Sequence, residues 1–311
     1  MNIGDMIAPR VSFGEALRDL APDYPKLLVF DSDVSPSTRT QLFAEAYPER
    51  FYQMGIAEQN MVCSAAGMAT TGWMPMVSTF AVFLAKRAVD QVRVSVAQTK
   101  LNVKLNGAYG GLPTGRAGKT HAAVQDIAVM RAMPNMVVVV PADPMETKLA
   151  VKACLDFEGP VYLRTVRDPV PVIFGEDHVL EIGKSYVLHE GDDLAIISTG
   201  MMTPKALVAA EQLKKEGIGV RLVHMPTIKP IDRTAIVKAS NDFGKILSIE
   251  NHSVIGGLGG AISEVLTDEA PCLLKRLGFQ DRFAESGDNE AIFSAYGMNS
   301  ENIVEAAKAF V

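Results

Sequence analysis

Short runs rich in β-branched residues alternate with longer amphipathic stretches along almost the whole chain. The runs that predict strands are Lys26–Asp31, Met74–Ser78, Leu101–Asn106, Met136–Val140, Val161–Arg164, Leu194–Ser198, Val220–His224 and Lys245–Ile249. Between them, apolar residues recur at helical spacing in Ser12–Leu20, Ala57–Thr70, Phe83–Gln98, Val124–Ala132, Pro144–Asp156, Pro204–Glu216 and Gly260–Leu266. The first of these opens on Ser12-Phe13-Gly14-Glu15, the spacing at which two side chains satisfy each other's free backbone N–H, so the helix is expected to start at Ser12. Such alternation predicts an α/β chain with mainly parallel sheets covered by helices on both faces. No repeat and no low-complexity segment interrupts it.

The periodicity breaks between Asp168 and Asp193, at Pro169, Pro171, Gly175-Glu176-Asp177 and Gly191-Asp192-Asp193. We read two doubly wound domains, residues 1–175 and 193–311, joined by a linker over 176–192. A length of 311 residues suits that division. Acidic residues outnumber basic ones by 36 to 30 and no basic run occurs, which argues against nucleic acid and anionic membranes as partners. Cys63, Cys154 and Cys272 form neither a metal-spaced pair nor a disulfide framework. The N-terminus lacks the pattern of a signal peptide, and the longest apolar run, Met136 to Val140, is far too short to span a bilayer. The expectation is a soluble protein of a reducing cytoplasm.

The most informative stretch is Phe51 to Gly67, FYQMGIAEQNMVCSAAG. A short strand is expected to end at Gly55 and a helix rich in small residues to start near Ala57. That places Glu58 in a first helical turn at the carboxyl end of a parallel strand, where open α/β sheets bind ligands. Taken alone, Glu58 is an ordinary helix-start carboxylate favoured by the macrodipole. Downstream come Ser78-Thr79-Phe80-Ala81-Val82-Phe83, then a glycine-rich loop with five Gly, Asn106 to His121 (NGAYGGLPTGRAGKTH). A loop of that length inside a compact domain points to function. An isolated Phe80/Phe83 pair would be core, and a lone His121 a satisfied polar group.

Together, IAEQNM, STFAVF, the glycine loop ending in His121, RAMPNM and PADPMET resemble transketolases in order and spacing, from about Arg10 to the C-terminus. The resemblance implies a pyrimidine-binding domain for thiamine diphosphate followed by a transketolase C-terminal domain. It assigns Glu58 to the pyrimidine ring nitrogen, where a shared proton makes the cofactor's imino tautomer accessible. It assigns Phe80 and Phe83, with Ile56, to the cofactor wall, and His121 to the donor sugar's hydroxyls. Arg10, Ser37 and Arg167 match positions that hold the sugar phosphate, with Arg164 as a competing candidate.

The chain also departs from that family. It has no Gly-Asp-Gly followed by an Asn pair, the pattern that holds magnesium and the cofactor diphosphate, and no histidine spacing suits a metal. The resemblance therefore implies a second, N-terminal polypeptide carrying Mg2+ and the diphosphate, and a heterotetramer of two chains of each kind. In the glycine loop, Ala117 stands where the family has an Asp on a sugar hydroxyl, Tyr109 replaces a His, and Arg116 adds a positive charge. These changes imply a phosphorylated sugar other than the usual ketose. Gly256 to Gly260 lacks the spacing of a dinucleotide fingerprint. Competing readings are the β subunit of a 2-oxo-acid dehydrogenase, with the same two-domain plan, and a non-catalytic partner in such a complex.

Overall fold

The computed structural model describes residues 1–112 and 114–311, with the side chain of Arg116 outside the described residues. The expected effect of Arg116 on the loop's charge therefore lies outside them too. Its strands are β1 (Met6–Ile7), β2 (Leu27–Asp31), β3 (Phe51–Gln53), β4 (Met74–Phe80), β5 (Lys104–Ala108), β6 (Val137–Val139) and β7 (Val161–Arg164). They continue with β8 (Val170–Pro171), β9 (Tyr186–His189), β10 (Leu194–Ser198), β11 (Val220–His224), β12 (Thr227–Lys229), β13 (Lys245–Ser253) and β14 (Leu273–Phe279). The fold is α/β with helices between the strands, as the alternation implies.

Strands β12-β6-β7-β5-β4-β2-β3 form one sheet, parallel except for β12. Every residue of β2, β5 and β7 is buried; β2 therefore reads as an apolar run from Leu27 to Phe30, whereas β5 also buries the polar Lys104 and Asn106. The second sheet runs β14-β13-β10-β11-β9, with only β9 antiparallel. β9 lies inside the segment read as a linker. β12 follows β11 of the second sheet in the chain yet pairs with β6 of the first, so the two halves share a sheet edge.

One small pairing positions the site. β1 and β8 run antiparallel, Met6 opposite Pro171 and Ile7 opposite Val170. Arg10 follows β1 and Arg167 precedes β8, so this ladder brings two distant arginines to one end of the first sheet.

Two local expectations are corrected. The first helix is Pro9–Leu20, not one starting at Ser12. Proline at the first helical position has its φ already set and no N–H to satisfy, so the start moves three residues earlier. Ser12 is then buried inside the helix and Glu15 pairs with Lys148 at 2.8 Å instead of capping. The stretch expected as one helix, Phe83–Gln98, is three pieces: Ala81–Lys86, Val89–Gln91 and a wider turn, Val92–Ala97.

Candidate active site

Glu58 is the first residue of the helix Glu58–Thr70, which leaves the carboxyl end of β3. Its buried neighbours Ala65 and Ala66 are small enough to let the helix lie close on the sheet. The Glu58 side chain is only 4% exposed, and Arg87 Nη1 lies 3.0 Å from its Oε1. The Arg87 guanidinium sits over the ring of Phe83, 3.9 Å from its centroid. Ile56, two residues before Glu58, is 73% exposed at the same hollow, which Ala57, Gln59, Asn60 and Arg87 complete.

β4 ends at Phe80, and Phe83 follows on the next helix with its ring 5.8 Å from that of Phe80. His121, at the end of the glycine loop, meets Phe83 edge-on at 5.3 Å and Phe80 at 6.0 Å. Its Nδ1 lies 2.9 Å from Thr120 Oγ1. Tyr109 stacks on Phe80 at 4.3 Å. The structure thus brings Glu58, Phe80, Phe83 and His121 into one chain of contacts, with Phe83 touching Arg87 on one side and His121 on the other. Tyr109 has φ +61°, a left-handed conformation uncommon for a non-glycine residue and often found at functional sites.

The aromatic wall leads to a cationic end. Arg10 and Arg167 both address the Tyr109 ring, at 5.7 and 5.5 Å from its centroid. Arg10 Nη1 donates to the Ser37 carbonyl at 3.0 Å and to the Tyr109 hydroxyl at 3.4 Å. Its buried Nε has no partner among the described residues. Arg167 Nη1 donates to the Thr114 carbonyl at 3.4 Å. A cavity of about 600 Å³ is lined by Ser37, Phe80, Tyr109, Ala117, His121 and Arg167, and Gly287, Asp288 and Asn289 of the second domain close it. Asn289 Nδ2 donates to Asp168, whose carboxyl is pushed up by burial despite that bond and the nearby Arg167.

Arg164, the competing phosphate candidate, is excluded by its surroundings. It is buried, pairs with Asp126 at 2.7 and 3.1 Å, and donates to the carbonyls of Ala123 and Asn251. Burial pushes the Asp126 carboxyl up, but Arg164 and His252 outweigh it and hold the group below its ordinary range. Arg164 therefore ties the segment just after the glycine loop, at Ala123 and Asp126, to Asn251 of the second domain. Asn251 also holds the loop itself, its Oδ1 accepting from Leu112 N at 3.0 Å. The glycine-rich turn of the second domain is also closed to a nucleotide: Glu250 accepts from Leu258 N at 2.6 Å and Gly259 N at 2.9 Å, filling the helix start where a phosphate would sit. Burial pushes the Glu250 carboxyl up to about 7.

The sequence alone did not point to Arg87 as the partner of Glu58, nor to Asp288 and Asn289 as cavity wall. Arg87 follows Phe83 by one helical turn, a spacing that could have signalled contact. Asn289 has no local signal, because 121 residues separate it from Asp168.

Residues 5–172 match the family "Transketolase, pyrimidine binding domain" and residues 183–303 match "Transketolase, C-terminal domain". The chain belongs to the transketolase family. It is 44% identical to a "Putative transketolase C-terminal section" of Methanocaldococcus jannaschii, over 95% of this chain and 94% of that one. It is 37% identical to an apulose-4-phosphate transketolase polypeptide of Phocaeicola vulgatus, over 99% of this chain and 98% of that one. A solved structure described as "Split gene transketolase, inactive beta4 tetramer" superposes with a TM-score of 0.92 at 45% identity, covering 98% of both chains. Enzymes of this family depend on thiamine diphosphate. Among the described residues no three His, Cys, Asp or Glu side chains are grouped to hold a metal, and no helix is long and apolar enough to cross a membrane.

Proposed function

We propose that this transketolase-family chain is the C-terminal subunit of a split transketolase that moves a two-carbon ketol unit between phosphorylated sugars. The observation that carries the reading is the chain of contacts from the buried Glu58 carboxyl through Arg87 and Phe83 to His121, and on through Phe80 and Tyr109 to Arg10 and Arg167. The residues fit thiamine diphosphate. A buried carboxyl with one side-chain partner among the described residues stands beside partly exposed aromatic rings, as an aminopyrimidine requires. When bound, the cofactor supplies the carbon nucleophile that carries the ketol unit.

This chain's residues supply the rest. Glu58 shares a proton with a ring nitrogen, Phe80 and Phe83 pack on the ring and exclude water, and His121 hydrogen-bonds sugar hydroxyls. Arg10, Arg167 and the Ser37 end of the cavity take the phosphate through charge-assisted hydrogen bonds. Mg2+ and the diphosphate are assigned to a separate N-terminal subunit, in a heterotetramer of two chains of each kind. That assignment is supported by the missing Gly-Asp-Gly pattern and by the likeness to a split-gene chain described as an inactive tetramer. Three free cysteines suit a cytoplasmic enzyme.

The sugar is proposed to be a non-standard one. Ala117 lines the cavity where the family carries an Asp, and Tyr109 is packed between Phe80 and two guanidiniums where the family carries a His. A relative of similar length is named for apulose 4-phosphate. The test is to combine the chain with a diphosphate-binding subunit, thiamine diphosphate and Mg2+, and to screen phosphorylated ketoses. Turnover that needs both chains and favours a ketose other than xylulose 5-phosphate is expected. Turnover of 2-oxo acids instead would replace this reading with the dehydrogenase one.

A further inference from the structure

Among the described residues, the Glu58 carboxyl has one side-chain partner, Arg87, and it is itself almost fully buried. A buried carboxylate left alone is costly, so the cofactor-free chain needs this cation. Yet the same carboxyl is the group a pyrimidine nitrogen has to reach. The two demands compete for one side chain. Arg87 is built to yield: its side chain is 48% exposed and lies over Phe83 without being enclosed. Its backbone stays fixed meanwhile, because Gln59 Nε2 donates to the Arg87 carbonyl at 3.0 Å and ties it to the helix that carries Glu58.

We infer that Arg87 is a positioning residue for Glu58: it neutralises and orients the carboxylate in the cofactor-free chain and gives up that bond when the pyrimidine ring enters. The cofactor half of this inference rests on the function proposed above, whereas the stabilising half is read without any cofactor.

Thermal unfolding of the isolated chain reads the first half. Arg87→Gln lowers Tm, Arg87→Lys keeps the charge and stays nearer to wild type, and Arg87→Gln added to Glu58→Gln causes no further loss, because the charge needing compensation is gone. Calorimetric titration of thiamine diphosphate into the chain assembled with its diphosphate-binding subunit reads the second half. Arg87→Gln binds the cofactor roughly tenfold more tightly than wild type, since no ion pair has to be surrendered. An unchanged Tm for Arg87→Gln, or an equal loss in the wild-type and Glu58→Gln backgrounds, would overturn the ion-pair role. Unchanged or weaker cofactor binding by Arg87→Gln would overturn the displacement. A wild-type assembly that binds no cofactor overturns the displacement together with the reading it rests on, and the Tm comparison tells the two failures apart.

Discussion

His224 and Glu146 meet at 2.8 Å, imidazole Nε2 to carboxylate Oε2, with both side chains fully buried where the second sheet packs on the first domain. Glu146 also accepts from Ala142 N at 2.6 Å and lies 3.2 Å from His178 Nε2. Burial pushes the Glu146 carboxyl up, but His224 and these hydrogen bonds outweigh it and bring it from 4.5 down to about 2. The folded state therefore holds Glu146 ionised where the unfolded chain would protonate it. The stability this contributes, roughly 3 kcal/mol at full effect, is present above pH 4.5 and is lost as pH falls towards about 2. Urea unfolding from pH 5 to 2.5 should show that slope, and Glu146→Gln should flatten it. An unchanged slope in the variant would contradict the assignment.

Arg10 and Arg167 share the Tyr109 ring, so each should contribute to binding the sugar's phosphate rather than to the chemistry. Alanine at either position is expected to raise KM for phosphorylated sugars by about tenfold or more with a smaller change in kcat. The corresponding unphosphorylated sugars should show little difference between variant and wild type. Equal losses on both sugar classes would mean the arginines act elsewhere.

Asn251 reaches from the second domain to the backbone of the glycine loop. Asn251→Ala leaves the buried Leu112 N–H without that acceptor, at a cost of about 1–3 kcal/mol. The expected result is a lower Tm together with faster amide exchange at Leu112 than at β5. Unchanged exchange at Leu112 would contradict this anchoring role for Asn251.

Asn289 closes the cavity and donates to Asp168, the residue after Arg167. Asn289→Ala should alter the preference among phosphorylated ketoses by roughly tenfold while leaving thiamine diphosphate affinity unchanged. A matching fall in cofactor affinity would place the residue's effect on the fold instead.

The eight strands that lie deep in the two sheets were legible, because parallel strands buried on both faces leave largely apolar runs such as Leu194–Ile197, although the run expected at Leu101–Asn106 forms its strand at Lys104–Ala108. β14 escaped notice since it is an edge strand carrying Lys275 and Arg276, and β12 because three residues, Thr227–Lys229, carry no period. The helix Arg233–Phe243 was missed although Asp232 caps it, accepting from Ala235 N at 3.0 Å. At the site, Glu58 and the Phe80/Phe83 pair are visible because strand ends and helix starts place them locally. What hid was tertiary. The Arg87 contact depends on how two helices pack, the Asp168–Asn289 bond joins residues from different domains, and Arg164 stood as a phosphate candidate because nothing in the sequence shows Asp126 facing it.

The most direct test of the central claim is ketol-transfer turnover by Glu58→Gln in the enzyme assembled with its diphosphate-binding subunit, compared with wild type. Glutamine keeps the shape but cannot share a proton with a ring nitrogen. Turnover is expected to fall by a factor of about 100 or more, with assembly intact by size-exclusion chromatography. Turnover within a few fold of wild type would contradict the role given to Glu58, and with it the mechanism built on this site.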